Sequence, residues 1–131
     1  MTAGWRWVDP EVAAAVHDRQ LAEHGGGLGV RDAGLLSSAL ARPENLAAYG
    51  APDAADLAAA YAFGIARNHP FVDGNKRTAW VVARLFLRLN DVSLTFDPAD
   101  AITAVEGMAA GRLDEAGLAD WFRARISRRE V

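Results

Sequence analysis

Eleven consecutive residues carry most of the chemistry in this sequence: Asn68-His69-Pro70-Phe71-Val72-Asp73-Gly74-Asn75-Lys76-Arg77-Thr78. Proline disfavours helical geometry in the residue before it, so a helix arriving from the N-terminal side ends at His69. That places an imidazole at a negative helix terminus, a setting suited to a base working near neutrality. Asp73-Gly74 reads as a turn, and a second helix starts behind it. The first N–H groups of a helix have no intrahelical partner and form an anion-binding end. Lys76 and Arg77 add positive charge at that end, against the usual preference for acidic residues in a first turn. An anion such as phosphate would offset their repulsion, and Asp73 could share Mg²⁺ with it. Singly, a histidine is more often structural and Asp-Gly an ordinary turn. A base, a metal carboxylate and a phosphate cradle within nine residues favour a phosphate-transfer site.

Such a loop must be held by helices, and the helix signals are clear. Asp9-Pro10 is an N-cap followed by proline at the first helical position, and Gly25-Gly26-Gly27 stops that helix. Asp32 caps a second helix expected to end by Pro43. Pro52-Asp53 opens a third, running through Leu57, Tyr61 and Ile65 towards Asn68. A fourth spans about residues 74–90, Asp97-Pro98 starts a fifth, and Asp114 begins a sixth carrying Trp121 and Phe122. The expected fold is therefore all-α: a compact bundle of about six helices in a single domain over residues 1–131. Trp5-Arg6-Trp7-Val8 and Ser93-Leu94-Thr95-Phe96 are candidate extended pieces. The stretch from Arg42 to Pro52 is the longest expected irregular connection, with room for a short β-hairpin flap over the site.

In the fourth helix, Trp80, Val81, Val82, Leu85, Phe86, Leu87 and Leu89 nearly encircle the axis, the pattern of a central buried helix. Arg77, Arg84 and Arg88 share one stripe of it. Internal ion pairs are the favoured reading for Arg84 and Arg88, because buried charge without a partner is costly.

The 131 residues contain no cysteine, which removes disulfides, zinc-thiolate sites and thiol nucleophiles together, and fits the cytoplasm. No apolar run approaches the length of a membrane span, and the first residues lack the pattern of a signal peptide. A net charge of -3 argues against direct nucleic-acid binding. The local cluster Arg123, Arg125, Arg128 and Arg129 reads as a solvated last turn. His17 and His24 share a helix face without further ligands, so structural or exposed roles are expected. The Gly25–Gly29 run reads as a helix stop and flexible connection, since no Lys-Ser/Thr follows it. Trp80 and Trp121 are expected core aromatics, whereas the spacing of Trp5 and Trp7 leaves one of them free to face a partner.

The run His69-Pro70-Phe71-Val72-Asp73-Gly74-Asn75-Lys76-Arg77-Thr78-Ala79 resembles the signature of the Fic/Doc superfamily, within it the death-on-curing (Doc) toxin branch. His17-Asp18-Arg19, Val30-Arg31-Asp32-Ala33-Gly34-Leu35-Leu36 and Ala39-Leu40-Ala41-Arg42-Pro43 extend the resemblance over nearly the whole chain. It implies a helical Fic fold with His69 as the base towards a target hydroxyl, Asp73 on Mg²⁺, and Gly74, Asn75, Lys76 and Arg77 on the phosphates of ATP. The branch transfers the γ-phosphate to a protein threonine, with elongation factor Tu as its known target. Its members belong to type II toxin–antitoxin pairs, which implies a Phd-like antitoxin as partner.

Two departures from the Fic AMP-transferase pattern His-Pro-Phe-x-(Asp/Glu)-Gly-Asn-Gly-Arg-x-x-Arg bear on the reaction. Lys76 replaces its second glycine and Trp80 its second arginine, while Pro70 and Gly74 keep to it. Phosphate transfer is favoured, with AMP transfer as the alternative and a non-catalytic, antitoxin-binding regulator of its own operon as a second. Neither Glu44-Asn45 nor Glu106-Gly107 has a hydroxyl residue four positions earlier, so the inhibitory (Ser/Thr)-x-x-x-Glu-(Gly/Asn) segment is not expected.

Overall fold

A computed structural model describes residues 4–128, and Arg129 of the basic cluster lies outside them. Among the described residues there are six helices: α1 (Pro10–His24), α2 (Ala33–Tyr49), α3 (Ala54–Asn68), α4 (Asn75–Leu89), α5 (Pro98–Ala109) and α6 (Glu115–Arg123). Two short strands, β1 (Val92–Leu94) and β2 (Ile126–Arg128), complete the order α1–α4, β1, α5, α6, β2. The mainly helical expectation holds, and no helix of the described residues is long and apolar enough to cross a membrane.

The centre is α3 rather than α4. Ten of its fifteen residues are buried, six of them alanines that let α2, α4, α5 and α6 approach its axis closely. On α4 the apolar circumference is incomplete, because Arg77, Arg84 and Arg88 face solvent. Phe86 joins α4 to the rest of the core. Its ring lies 5.2 Å from Tyr61 and 5.9 Å from both Trp5 and Trp7. Both N-terminal tryptophans are thus half-buried on one ring, and neither is free for a partner, since residues two apart in an extended segment share a face. The Trp5–Val8 segment forms no strand. Asn90 exchanges two 2.9 Å bonds with the backbone of Arg6 in a strand's stead. The Tyr61 hydroxyl accepts a 2.8 Å bond from the Val8 N–H, and burial pushes its acidity down, to a pKa of about 12.

Two expectations of loop structure are corrected. The second helix does not end by Pro43 but continues to Tyr49, so Arg42–Pro52 is no flap. An internal proline costs a helix about 3 kcal/mol. Here Pro43 is buried with Leu36, Ala39 and Leu40 on the face that packs against α3, and tertiary burial outweighs the lost bond. The extended segment near Ser93 does form a strand. Its partner is the C-terminal β2, antiparallel with Ser93 opposite Ser127, so the two strands close the C-terminal end of α4 instead of forming a hairpin over the loop.

The start of α3 is anchored by charge. Asp53 and Asp56 form a reciprocal capping box, each carboxylate accepting the other's backbone N–H. Arg123 donates to Asp53 at 2.8 and 3.1 Å and to Asp56 at 2.8 Å, tying α6 to α3. Arg123 is therefore an inter-helix tie and not merely a solvated last turn. Its guanidinium, together with the Asp56 N–H, holds the Asp53 carboxyl down at about 2 from an ordinary 3.8. A depressed carboxylate stabilises the fold fully above its unfolded value and loses that contribution as pH falls through the folded one. Asp53→Ala is expected to cost about 1 kcal/mol at pH 7 in denaturant titrations. The gap from the parent protein should narrow between about pH 4 and pH 2; an equal gap at both ends would contradict the assignment.

Candidate active site

The loop 69–74 sits between the central α3 and the start of α4, and several contacts fix its path. His69 ends α3 in a left-handed conformation, φ 50° and ψ 55°, with its N–H on Ile65 O. Pro70 makes the helix stop here, since a residue before proline is kept out of the right-handed α region. The α3 C-terminus is then covered by Arg31, which donates from Nε to His69 O at 2.8 Å and from Nη2 to Asn68 O at 3.0 Å. Pro70 O accepts the N–H groups of Arg31 and Asp32, and Gly29 O takes the N–H of Val72.

Asn75 closes the loop from inside. Its amide group donates to Phe71 O at 3.1 Å and accepts the Phe71 N–H at 3.0 Å, and the side chain is buried. This side chain is engaged by the loop's own backbone, which leaves the Asn75 backbone N–H, in the first turn of α4, for a ligand. His17 supports the loop from α1. It is 1% exposed, stacks on Phe71 with ring centroids 3.9 Å apart, and bonds through Nε2 to Asp73 O at 2.8 Å. The expected structural role for His17 is what the fold shows. His24 is exposed beside Glu23.

The glycine run is more than a flexible connection. A Cβ on Gly26 would stand 2.9 Å from Asp73 Oδ2, and one on Gly27 would stand 2.7 Å from Val72 Cγ1. Only glycine lets the α1–α2 connection lie this close to the loop.

The expected site residues divide into two groups. Asp73, Gly74, Asn75, Lys76 and Arg77 line one cavity of about 520 Å³ with residues of α4 and α5. His69 is exposed at the head of the same loop and is not part of that lining. Gly74 caps α4 with φ 74°, a left-handed turn that aims the first N–H groups of α4 outward. Asp73 Oδ1 accepts the Gly74 N–H at 2.8 Å, which leaves its other oxygen for a cation. No cluster of three or more His, Asp or Glu side chains suited to a metal occurs among the described residues. A lone carboxylate suits Mg²⁺ that arrives bound to phosphates and keeps its waters, rather than a caged ion.

Three features of the site were not legible beforehand. Lys76 does not stand free: its Nζ meets Glu106 of α5 at 3.1 and 3.3 Å, inside the cavity. Arg84 and Arg88 form no ion pairs among the described residues, contrary to expectation. The Arg84 guanidinium lies over the rings of Phe96 and Trp80 instead, at 5.1 and 5.7 Å, and this cation–π contact replaces a carboxylate. Arg31 was visible only as part of a resemblance, because its bonds span 37 and 38 residues of sequence.

A six-helix domain with a clamped His-Pro-Phe loop, an acidic turn and a basic helix start is the arrangement of a Fic-type domain. The sequence profile of the Fic/DOC family matches residues 7–87, well over half of the chain, and the protein belongs to that family. It is similar to the protein kinase doc of Escherichia phage P1, 35% identical over 119 residues that cover 90% of this chain and 94% of that one. It is also 53% identical over 76 residues to toxin Doc of Mycolicibacterium smegmatis, an alignment spanning 56% of this chain and 58% of the relative's length.

The clamp makes a measurable demand. Asn75→Ala strands a buried N–H and a buried carbonyl of Phe71, and is expected to destabilise the fold by about 2 kcal/mol. A loss below about 0.5 kcal/mol in thermal or denaturant unfolding would show that water replaces the clamp without cost.

Proposed function

We propose that the protein is a Doc-like toxin that transfers the γ-phosphate of Mg·ATP to a serine or threonine hydroxyl of a cytoplasmic protein. The observation that carries this reading is the division of the loop: an exposed imidazole at its head, and an acidic turn with a basic helix start at its foot. A base that takes its proton from another protein has to be accessible, and His69 is. A polyphosphate needs N–H donors and cations at the edge of a cavity, and residues 73–77 supply them.

In the proposed reaction, His69 accepts the hydroxyl proton while the hydroxyl oxygen bonds to the γ-phosphorus. The bond from that phosphorus to the β–γ bridging oxygen breaks, and ADP leaves. The backbone N–H groups of Asn75–Arg77, behind the Gly74 turn, and the Arg77 guanidinium hold the phosphate oxygens, with Lys76 moving from Glu106 to join them. Mg²⁺, on the free oxygen of Asp73, would neutralise phosphate charge. Elongation factor Tu is the target that the family resemblance favours. An uninhibited enzyme of this kind would arrest its own host, so an antitoxin partner belongs to the proposal. The names of the two relatives, a toxin and a protein kinase, support the same reading.

Incubation with cell extract and ATP labelled on either the γ- or the α-phosphate is the direct test. Label is expected on a protein from the γ position only. Transfer from the α position would make the enzyme an AMP-transferase, and no transfer from either would favour an antitoxin-binding regulator. His69→Ala should slow modification by about a hundredfold or more. Near-normal modification by that variant would remove His69 as the base.

A further inference from the structure

A second cavity, of about 580 Å³, runs between α2 and α3 and shares no lining residue with the one at the foot of the loop. Arg42, Leu46 and Tyr49 line it from α2, four and three residues apart on one helix face. Phe63, Arg67 and Asn68 line it from α3. Two guanidinium groups lie over the Phe63 ring, that of Arg42 at 5.9 Å and that of Arg67 at 5.7 Å. Arg42 is also held by Glu115 of α6, at 2.9 Å from its Nε. Arg67 pairs with no carboxylate among the described residues. Tyr49 is 90% exposed, and Leu46, one turn earlier, also stands in water.

We propose that this groove is a docking site for the protein that receives the phosphate. It takes a segment in which acidic residues adjoin a large apolar side chain. The inference rests on the reading of His69 as the base towards a protein hydroxyl, and adds how that protein is recognised. Three observations carry it. The groove ends at Asn68, the residue before the exposed His69, so a chain seated there is held next to the base. Its lining contains two arginines and no acid. Residues 57–90 hold five basic residues against Asp73 alone, although the whole chain carries a net charge of -3. The acidic surplus therefore lies on other segments, and this part of the molecule attracts an acidic partner. With Arg42 answered by Glu115, Arg67 is the cation left for that partner. Last, Tyr49 and Leu46 are apolar surface that the core does not use, and tyrosine beside arginine is the composition of an interface hot spot.

Label transfer from γ-labelled ATP to protein in cell extract, followed over a range of extract concentrations, tests it. Arg67→Glu and Tyr49→Ser both lie at exposed positions and are checked for folding by circular dichroism. Each is expected to raise the extract concentration for half-maximal rate by about tenfold. The rate at saturation, and the affinity for Mg·ATP by calorimetry, should stay within about twofold of the parent's. The Arg67→Glu effect should shrink in high salt, and an effect independent of salt overturns the acidic partner. An unchanged half-maximal concentration in both variants overturns the docking site, as does a fall in the saturated rate alone. The inference fails too if Tyr49→Ser turns a dimer into a monomer while transfer stays normal, since the groove then joins two copies. It also fails if the variants escape a co-expressed antitoxin with transfer unchanged. In those cases the reading of His69 stands, whereas a parent protein that labels nothing overturns that reading together with the inference.

Discussion

The need to satisfy backbone polar groups at the junction of α3 and α4 governs the rest of the site. A loop wedged against a buried helix cannot leave its carbonyls bare, since each unpaired buried group costs about 1–3 kcal/mol. The carbonyls of Asn68 and His69 take the Arg31 side chain, and that of Pro70 takes the N–H groups of Arg31 and Asp32. Phe71 is closed by Asn75, Asp73 by His17, and Gly74 by the Thr78 N–H. The loop is consumed by its own supports. What stays available to a ligand is the first turn of α4, one oxygen of Asp73 and the exposed His69 imidazole.

This accounting explains why so much of the N-terminal half serves a short segment. Helix α1 contributes His17, and the glycine run behind it allows the connection to graze Val72 and Asp73. The connection also supplies Arg31 and ends in the Asp32 cap of α2. Charge at the far side is balanced in the same manner. Two cations in the first turn of α4 oppose the helix dipole, and Glu106 of α5 offsets part of their repulsion at Lys76. Half-exposed, this pair contributes little to stability, and so little opposes its exchange for another anion.

Features that depend on local rules were legible in the sequence. Asp-Pro and Asp caps marked helix starts within a residue or two, and Pro70 marked the end of α3. Residues 69–77 stood out as a candidate site because their chemistry is contiguous. What escaped notice depends on distance. Pro43 stays helical through packing on α3, and β1 pairs with a strand more than thirty residues on. Arg84 finds aromatic rings where an acid was expected. The glycine run was read by its freedom when its role is close approach. His17 was placed as structural, but nothing on α1 foretold that its partner is the carbonyl of Asp73.

The one lysine among fourteen basic residues gains meaning from its partner. An arginine at that position would meet the Glu106 carboxylate as a planar, bidentate fork and hold it more tightly. A glycine would leave Glu106 unpaired and let a phosphate approach the backbone directly. Lysine lies between these: a point charge on a rotatable stem, neutralised by Glu106 while the cavity is empty and able to turn to an incoming phosphate. In a chain that otherwise builds its cations from arginine, using it for the Asp53–Arg123 tie and the Arg31 clamp, the mobile ammonium occurs where exchange of partners is the proposed task. The rigid forks hold the scaffold, and the flexible charge stands where the proposed phosphate would enter.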